Sequence, residues 1–234
     1  IKNRDSGSYP HVLTDSVRGN TKYLHSSSND SELTTTSGIT AFELDGFSVG
    51  ANGYFNGGGS GANDKMVAWC FKAGGAPSGS DTVSIGGTSY ADEAAAGLTA
   101  GTIAVDGLSA NNDLGFSIVK YTGNSTSGAT ISHGLSAKPE LILIKGLDID
   151  VSWIIYDTNI NSVGYLDTTD SFATSRLSWG FNSTAPTSSL ITLGNSNGVN
   201  SSDMIAYCFA SKRGVSKVGS YTGTGAAGNK VYTG

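Results

Sequence analysis

Short apolar runs separated by Gly, Asn, Ser and Asp set the pattern of this chain. The pattern is clearest in residues 114–213, where such runs fall near 115–121, 129–133, 140–145, 151–156, 163–167, 188–193 and 203–210. Runs of this length that are rich in β-branched and aromatic residues and bounded by turn residues predict β-strands. A series of short strands at this spacing predicts an antiparallel, jelly-roll-like β-sandwich with little helix.

Two of these runs, 141–144 and 204–209, are apolar on both alternating faces. Such runs predict central strands that are covered on both sides, because half-exposed strands alternate between apolar and polar residues. Successive side chains of a strand point to opposite faces. The expected faces of the second run are Met204, Ala206 and Cys208 on one side, and Ile205, Tyr207 and Phe209 on the other.

An internal repeat organises the sequence. Residues 66–71, Met-Val-Ala-Trp-Cys-Phe, reappear at 204–209 as Met-Ile-Ala-Tyr-Cys-Phe. Further matches keep the same order: Ile1-Lys2 with Ile144-Lys145, Asp15 with Asp157, Tyr23-Leu24 with Tyr165-Leu166, and 47–50 with 191–194. A second echo relates 115–123 to 214–223. Matches in a constant order indicate tandem copies of one unit.

The repeat divides the chain into four parts. Residues 1–75 are predicted to be the later part of a first β-sandwich repeat, and 114–213 a complete second repeat. Residues 76–113 are rich in Gly, Ala and Ser, which predicts a connecting segment with at most a short helix. Residues 214–234 are predicted to start a further repeat or to form an exchanged strand. The strands that 1–75 lack are then expected from a neighbouring chain or from upstream sequence.

The same alignment makes Cys70 and Cys208 equivalent. We expect both to be free thiols at matching core positions, because two separate sandwich cores hold their Cα atoms too far apart for a disulfide.

Composition and charge argue against nucleic acids and membranes as partners. The 234 residues carry a formal net charge of -5 and contain no Lys/Arg cluster, which opposes a nucleic-acid partner. No apolar run reaches the ~18 to 20 residues of a membrane helix, so we expect no membrane insertion.

Two glycine-rich motifs resemble catalytic or cofactor signatures in spelling only. Residues 194–198 spell a nucleophile elbow, which requires a strand that leads into a helix; the pattern here predicts another strand. Residues 223–228 spell a dinucleotide fingerprint, but a strand rather than a helix is predicted to follow. We therefore expect no cofactor and no catalytic residue at either motif.

The titratable residues suggest no metal or acid–base site. His11, His25 and His133 are isolated in sequence. Asp148 and Asp150 could share a face and bind calcium, but a solvated turn after Ile144-Lys145 is the favoured explanation. A glycan-degrading enzyme would need two convergent carboxylates, and Glu32, Glu43, Glu93 and Glu140 are scattered. We expect no metal site and no enzyme.

Aromatic residues next to Gly/Asn-rich loops leave one alternative open, a carbohydrate-binding adhesin or lectin-like module. The candidate ligand-contacting residues are Trp179, Tyr54 and Phe55. Trp153, in contrast, lies within an apolar run and is expected in the core.

The motifs of the second unit also carry a family resemblance. They are 115–123, His133-Gly134-Leu135, 138–145, Trp153, Tyr156, 182–187 and 206–209. This series is similar to the repeats of large structural proteins of marine bacteriophages, which are described as tail-fibre-like or appendage components. The resemblance implies a structural protein of a virion or an extracellular fibre, without catalytic residues. It also implies a homo-oligomer, trimeric by analogy with phage fibres, whose partners are its own copies, neighbouring virion proteins or a host-surface glycan.

Overall fold

The computed structural model describes residues 1–5, 7–57 and 64–233, and regular structure in this part of the chain is mainly β-strand. This confirms the all-β, antiparallel class. The strands are β1 (Lys2–Asn3), β2 (Val12–Asp15), β3 (Gly19–His25), β4 (Leu33–Thr34), β5 (Ile39–Phe42), β6 (Phe47–Val49), β7 (Met66–Val67), β8 (Val83–Ile85), β9 (Thr88–Tyr90), β10 (Val105–Asn111), β11 (Phe116–Thr122), β12 (Thr130–Ser132), β13 (Leu141–Gly146), β14 (Ile154–Asp157), β15 (Ser162–Tyr165), β16 (Leu190–Thr192) and β17 (Asp203–Phe209). The short helices are α1 (Gly53–Asn56), α2 (Leu177–Phe181) and α3 (Asn197–Asn200), with a 3-10 turn at Thr174–Arg176.

One eight-stranded sheet dominates the fold, in the order β15-β14-β13-β17-β11-β10-β8-β9. Neighbouring strands are antiparallel except for β8 and β10, which are parallel. All the strands predicted for 114–213 form, and β13 and β17 lie in the centre as expected. The predicted faces of β17 are also confirmed, because Met204, Ala206 and Cys208 join one apolar cluster and Ile205, Tyr207 and Phe209 join another.

The prediction of a connecting segment at 76–113 is wrong. This stretch contributes β8, β9 and β10 to the main sheet, where β10 pairs with β11. Small residues are needed here for close packing: a Cβ at Gly101 would collide with the backbone oxygen of Thr130, and a Cβ at Gly107 in β10 with the Val17 side chain. The Gly/Ala/Ser composition therefore marks tightly packed strands rather than a linker.

The two faces of the main sheet are covered differently. The β12–β16 ladder, α2 and α3 pack on one face and form the larger core, which includes Ile131, Phe181 and Val199. Residues of β2 and β3 pack on the other face around Trp153, which is fully buried and stacked on Tyr207. The Trp153 indole Nε1 donates to the His25 carbonyl at 2.8 Å. Trp153 is thus a core residue, as predicted.

A buried ionic cluster ties the β2–β3 hairpin to β17. The Arg18 guanidinium donates to Asp15 Oδ2 at 2.6 Å, to Glu32 Oε1 at 3.1 Å and to the Tyr207 hydroxyl at 3.1 Å. Tyr207 donates in turn to Asp15 Oδ2 at 2.7 Å. Burial alone would lower the pKa of Arg18, but the surrounding Tyr207, Asp15 and Glu32 raise it, so Arg18 remains charged.

The N-terminal strands repeat the pairing of the second unit. Lys2 pairs with Val67 and Asn3 with Met66, as Lys145 pairs with Ile205 and Gly146 with Met204. Ile1 and Val12 exchange backbone hydrogen bonds of 2.7 and 3.0 Å, and their counterparts Ile144 and Ile154 are partners in the β13–β14 ladder. The order β7-β1-β2-β3 therefore reproduces the order β17-β13-β14-β15.

The correspondence extends to the short helices. The Gly50 amide bonds to Gly38 at 2.8 Å, as the Gly194 amide bonds to Gly180 at 2.8 Å. Asn56 Nδ2 at the end of α1 donates to the Gly50 carbonyl at 3.0 Å, as Asn200 Nδ2 at the end of α3 donates to the Gly194 carbonyl at 2.8 Å. The first unit thus repeats the second in hydrogen bonding as well as in sequence.

The environments of the two hexapeptides differ, however, and the expected core position of Cys70 is wrong. Cys208 is buried within β17, whereas only Met66–Val67 of the first copy forms a strand and Cys70 is exposed. Trp69 and Phe71 are 64% and 62% exposed. Strands β11 and β13 flank β17, but among the described residues β7 pairs only with β1. The first unit is therefore not a closed sandwich.

We predict that the buried ionic cluster contributes strongly to stability. Replacing Arg18 by Met leaves the buried Asp15 carboxylate without its cation, whereas Glu32 keeps Lys22 at 3.3 Å, so we expect a loss of about 3–5 kcal/mol in the free energy of unfolding. Urea denaturation measures the loss. The matched control is Lys120→Met, because Lys120 forms a partly exposed pair with Asp203 at 3.5 Å and should cost about 1 kcal/mol or less. Equal losses in the two variants would contradict the assigned role of Arg18.

Candidate functional site

Trp179 lies on an aromatic surface next to strand β15. Its half-buried ring stacks on Tyr165, with centroids 6.5 Å apart and an interplanar angle of 19°. The Arg176 guanidinium lies 4.6 Å from the centroid of the Tyr165 ring, and the exposed Phe172 packs against Gly164 of the same strand. Sequence reasoning missed Tyr165, Arg176 and Phe172 as neighbours of Trp179. Only their proximity to the same predicted strand could have suggested the group.

Tyr54 and Phe55 lie on α1 in a separate apolar cluster. Phe55 is only 3% exposed and packs in the small core of the first unit with Val12 and Ile39, so its ring offers no face to a ligand. Tyr54 is half-buried and makes an edge contact with Tyr9 at 5.7 Å. These two residues fix α1 on its core, and the structure does not bring them into the same cluster as Trp179.

The two glycine-rich motifs lie in different local structures. Ser196 caps α3, and its hydroxyl accepts the Gly198 amide hydrogen at 3.2 Å. The expectation that 194–198 leads into a strand is therefore wrong, because this cap starts a helical turn. Residues 223–228 form an exposed turn, and the strand expected at 229–232 does not form.

His133 is a buried structural residue. The Leu135 amide donates to Nδ1 at 3.2 Å, which leaves the hydrogen on Nε2, 3.3 Å from the Thr187 carbonyl. Burial lowers the pKa of His133 to about 4, and the bond to Thr187 opposes this shift. The neutral ring is thus held by two backbone groups.

The acidic pair expected to lie in a turn also bonds to neighbouring segments. Asp150 accepts the Ser31 amide hydrogen at 2.8 Å, which lowers the pKa of its carboxyl group, and Asp148 accepts the Ser202 hydroxyl hydrogen. Within residues 1–5, 7–57 and 64–233, no three His, Cys, Asp or Glu side chains are grouped so as to hold a metal ion. No helix in these ranges is long and apolar enough to cross a bilayer.

The most distinctive surface is the side of the first unit where the counterpart of β11 would lie. In the second unit the Tyr121 hydroxyl donates to the Val199 carbonyl at 2.6 Å. The Asn200 side chain accepts from the Asn124 amide and donates to the Thr126 carbonyl, both at 2.9 Å. These bonds fasten β11 and the loop after it to α3.

In the first unit the corresponding groups are uncovered. Asn56, the counterpart of the fully buried Asn200, is exposed. Met66 is half-buried, whereas its counterpart Met204 is fully buried. We call the surface formed by Asn56 and residues 66–71 the open edge. Its backbone and apolar side chains can accept an additional strand.

A family model described as a domain of unknown function (DUF7483) matches residues 1–97 and 87–234, which together span the whole chain. The chain belongs to this family. Each matched range contains one of the two hexapeptides, 66–71 or 204–209. No curated protein and no solved structure matches the chain significantly.

We predict that His133 makes stability depend on pH. Its pKa is about 4 in the folded chain and near 6.5 when unfolded, so the unfolded chain binds a proton first as the pH falls. The stabilising contribution is complete above pH 6.5 and is lost towards pH 4. In His133→Gln the stability should fall less steeply across this window, by up to about 1.4 kcal/mol per pH unit. Urea denaturation at a series of pH values gives both slopes, and parallel slopes would rule out a titrating His133.

Proposed function

We propose that this chain is a structural segment of an extracellular fibre or virion appendage, assembled from repeated β units. The observation that carries the proposal is the duplicated register: Lys2 and Asn3 meet Val67 and Met66 as Lys145 and Gly146 meet Ile205 and Met204. Units that recur along a chain and contact their neighbours build elongated structures. The resemblance to phage appendage repeats points in the same direction.

The partners proposed for this role are further copies of the chain or neighbouring virion proteins, in a homo-oligomer. The open edge supports such partners, because β7 pairs only with β1 among the described residues and the nearby Trp69 is exposed. Another β segment can pair with such an edge. The Phe71 ring, although 62% exposed, contacts the rings of Phe116 and Phe209. The two ranges matched by the family model also support a design in which one unit recurs.

Gold-labelled antibodies against the chain test the proposed location. We expect label on external appendages of purified virions or on fibres outside cells, viewed by electron microscopy, because a fibre segment is exposed along its length. Preimmune antibodies provide the control. Label confined to the cell interior or to soluble, unassembled material would contradict the proposal.

A carbohydrate-binding adhesin is the second candidate. The stacked pair Trp179 and Tyr165, with Arg176 beside it, supports this candidate, because an aromatic ring with a polar neighbour can pack against the apolar face of a sugar. In this function the host-surface glycan would be the partner, and the fibre would carry the binding surface. Carbohydrate binding is therefore compatible with the structural role, because the same fibre would also contact the host surface.

A glycan array tests the aromatic surface. If the surface binds sugar, Trp179→Ala should reduce the signal about tenfold or more, consistent with about 1.4 kcal/mol or more of lost contact energy. Trp179→Phe should retain part of it because a ring remains. The control is Leu44→Ala, at a fully exposed apolar residue outside the surface. Because Trp179 packs against the larger core, circular dichroism must first show that the variants are folded. An unchanged signal in folded Trp179→Ala would exclude the surface.

A further inference from the structure

The chain contains a second segment of the type that forms β11. Residues 214–223, Gly-Val-Ser-Lys-Val-Gly-Ser-Tyr-Thr-Gly, correspond to 115–123, Gly-Phe-Ser-Ile-Val-Lys-Tyr-Thr-Gly, with one additional residue before the tyrosine. In β11 these residues lie in the centre of the main sheet. In the second segment Tyr221 is 70% exposed and Val215 is also exposed. A sequence suited to a central strand is therefore presented to solvent.

The correspondence continues beyond this strand. Gly228 and Gly128 both have a left-handed backbone, with φ of 88° and 87°. Lys230-Val231-Tyr232 then occupies the sequence positions of Thr130-Ile131-Ser132, which form β12. Residues 214–233 thus hold counterparts of both β11 and β12, and neither strand has a counterpart among the described residues of 1–75.

We propose that residues 214–233 of one copy of this chain add as β-strands to the open edge of a second copy. This inference rests on the proposed function, since it names the partner through which units would join. The β11–β17 ladder gives the register: Tyr221 lies opposite Met66 as Tyr121 lies opposite Met204, and Ser216 opposite Cys70 as Ser117 opposite Cys208. The additional residue of the donor strand forms a β-bulge between these two points.

The added strand satisfies groups that the open edge leaves to solvent. Backbone groups of 68–71, which form no ladder in the first unit, gain the hydrogen bonds that β17 makes with β11. The Tyr221 hydroxyl reaches the Phe55 carbonyl, the counterpart of Val199, and Asn56 binds the loop after Gly223 as Asn200 binds 124–126. The exposed Tyr221 also becomes covered, as its counterpart Tyr121 is fully buried.

A second copy is the partner because the segment has no vacant place in its own complete unit. There β17 already has β11 on one side and β13 on the other. Within the same chain, residues 214–223 make a turn through the Lys212–Ser216 bridge and form no ladder with 66–71. Donor and acceptor are different surfaces, so addition can continue from copy to copy.

Disulfide trapping tests the register directly. Opposed residues of antiparallel strands have Cβ atoms about 4.5–5.5 Å apart, close enough for a disulfide after a small adjustment. Cys70 is exposed and Cys208 is buried, so Ser216→Cys adds one thiol opposite an available one. We expect mild oxidation at high protein concentration to give a ladder of covalent oligomers on non-reducing gels, with the bond to Cys70 identified by mass spectrometry. Lys217→Cys is the matched control, because the adjacent residue points to the opposite face and should cross-link several-fold less.

Each alternative outcome overturns the proposal. A cross-linked monomer would mean that the segment folds back within one chain. Equal cross-linking of Ser216→Cys and Lys217→Cys would mean random collision, and cross-linking that persists in Ser216→Cys with Cys70→Ser would mean a different contact. Any of these results would leave the labelling test of the fibre role unaffected, so the two proposals can fail separately.

Discussion

Strand β17 has apolar side chains on both faces, so both faces must be covered. Its backbone must also find hydrogen-bond partners at both edges. The rest of the second unit, together with the β2–β3 hairpin, supplies both. Strands β11 and β13 supply the hydrogen bonds at its edges. The β12–β16 ladder covers Met204, Ala206 and Cys208, while the β2–β3 hairpin covers Tyr207. Among the described residues of 1–75 no strand pairs with 66–71 in the way that β11 pairs with β17, and this first hexapeptide forms only a two-residue strand.

The two units share the same aspartate turn, but the aspartate of the first unit makes additional contacts. Asp15 accepts the amide hydrogens of Val17 and Arg18, as Asp157 accepts those of Asn159 and Ile160, so both hairpins turn in the same way. Asp15 additionally bonds to Arg18 and Tyr207 in a buried cluster. Asp15, a turn residue of the first unit, thereby binds Tyr207 of the second unit and holds the two units together.

The features predictable from sequence were local or periodic. The strands of 114–213, the two faces of β17 and the equivalence of the hexapeptides follow from alternation and repetition. Strands β8–β10 were not predicted, since Gly101, Gly107 and their small neighbours in 76–113 indicate a linker until their close packing is visible. Cys70 is exposed because, in the part of the chain that the structure describes, no strand pairs with 66–71 as β11 pairs with β17. Of the candidate ligand residues, Phe55 is buried, whereas Tyr54 and Trp179 are half-buried, and the neighbours of Trp179, Tyr165 and Arg176, are brought to it by the fold.

The positions of the donor segment, 214–233, and of the acceptor, the open edge, decide which assemblies strand addition can form. Reciprocal exchange, in which each of two copies donates 214–233 to the open edge of the other, closes a two-fold pair. Addition in one direction leaves a donor at one end and an acceptor at the other, so it builds an open series of copies. The trimer implied by the phage resemblance would instead require lateral contacts between whole units. Strand addition along the series and lateral contacts between series are therefore separate interactions, and a fibre can contain both.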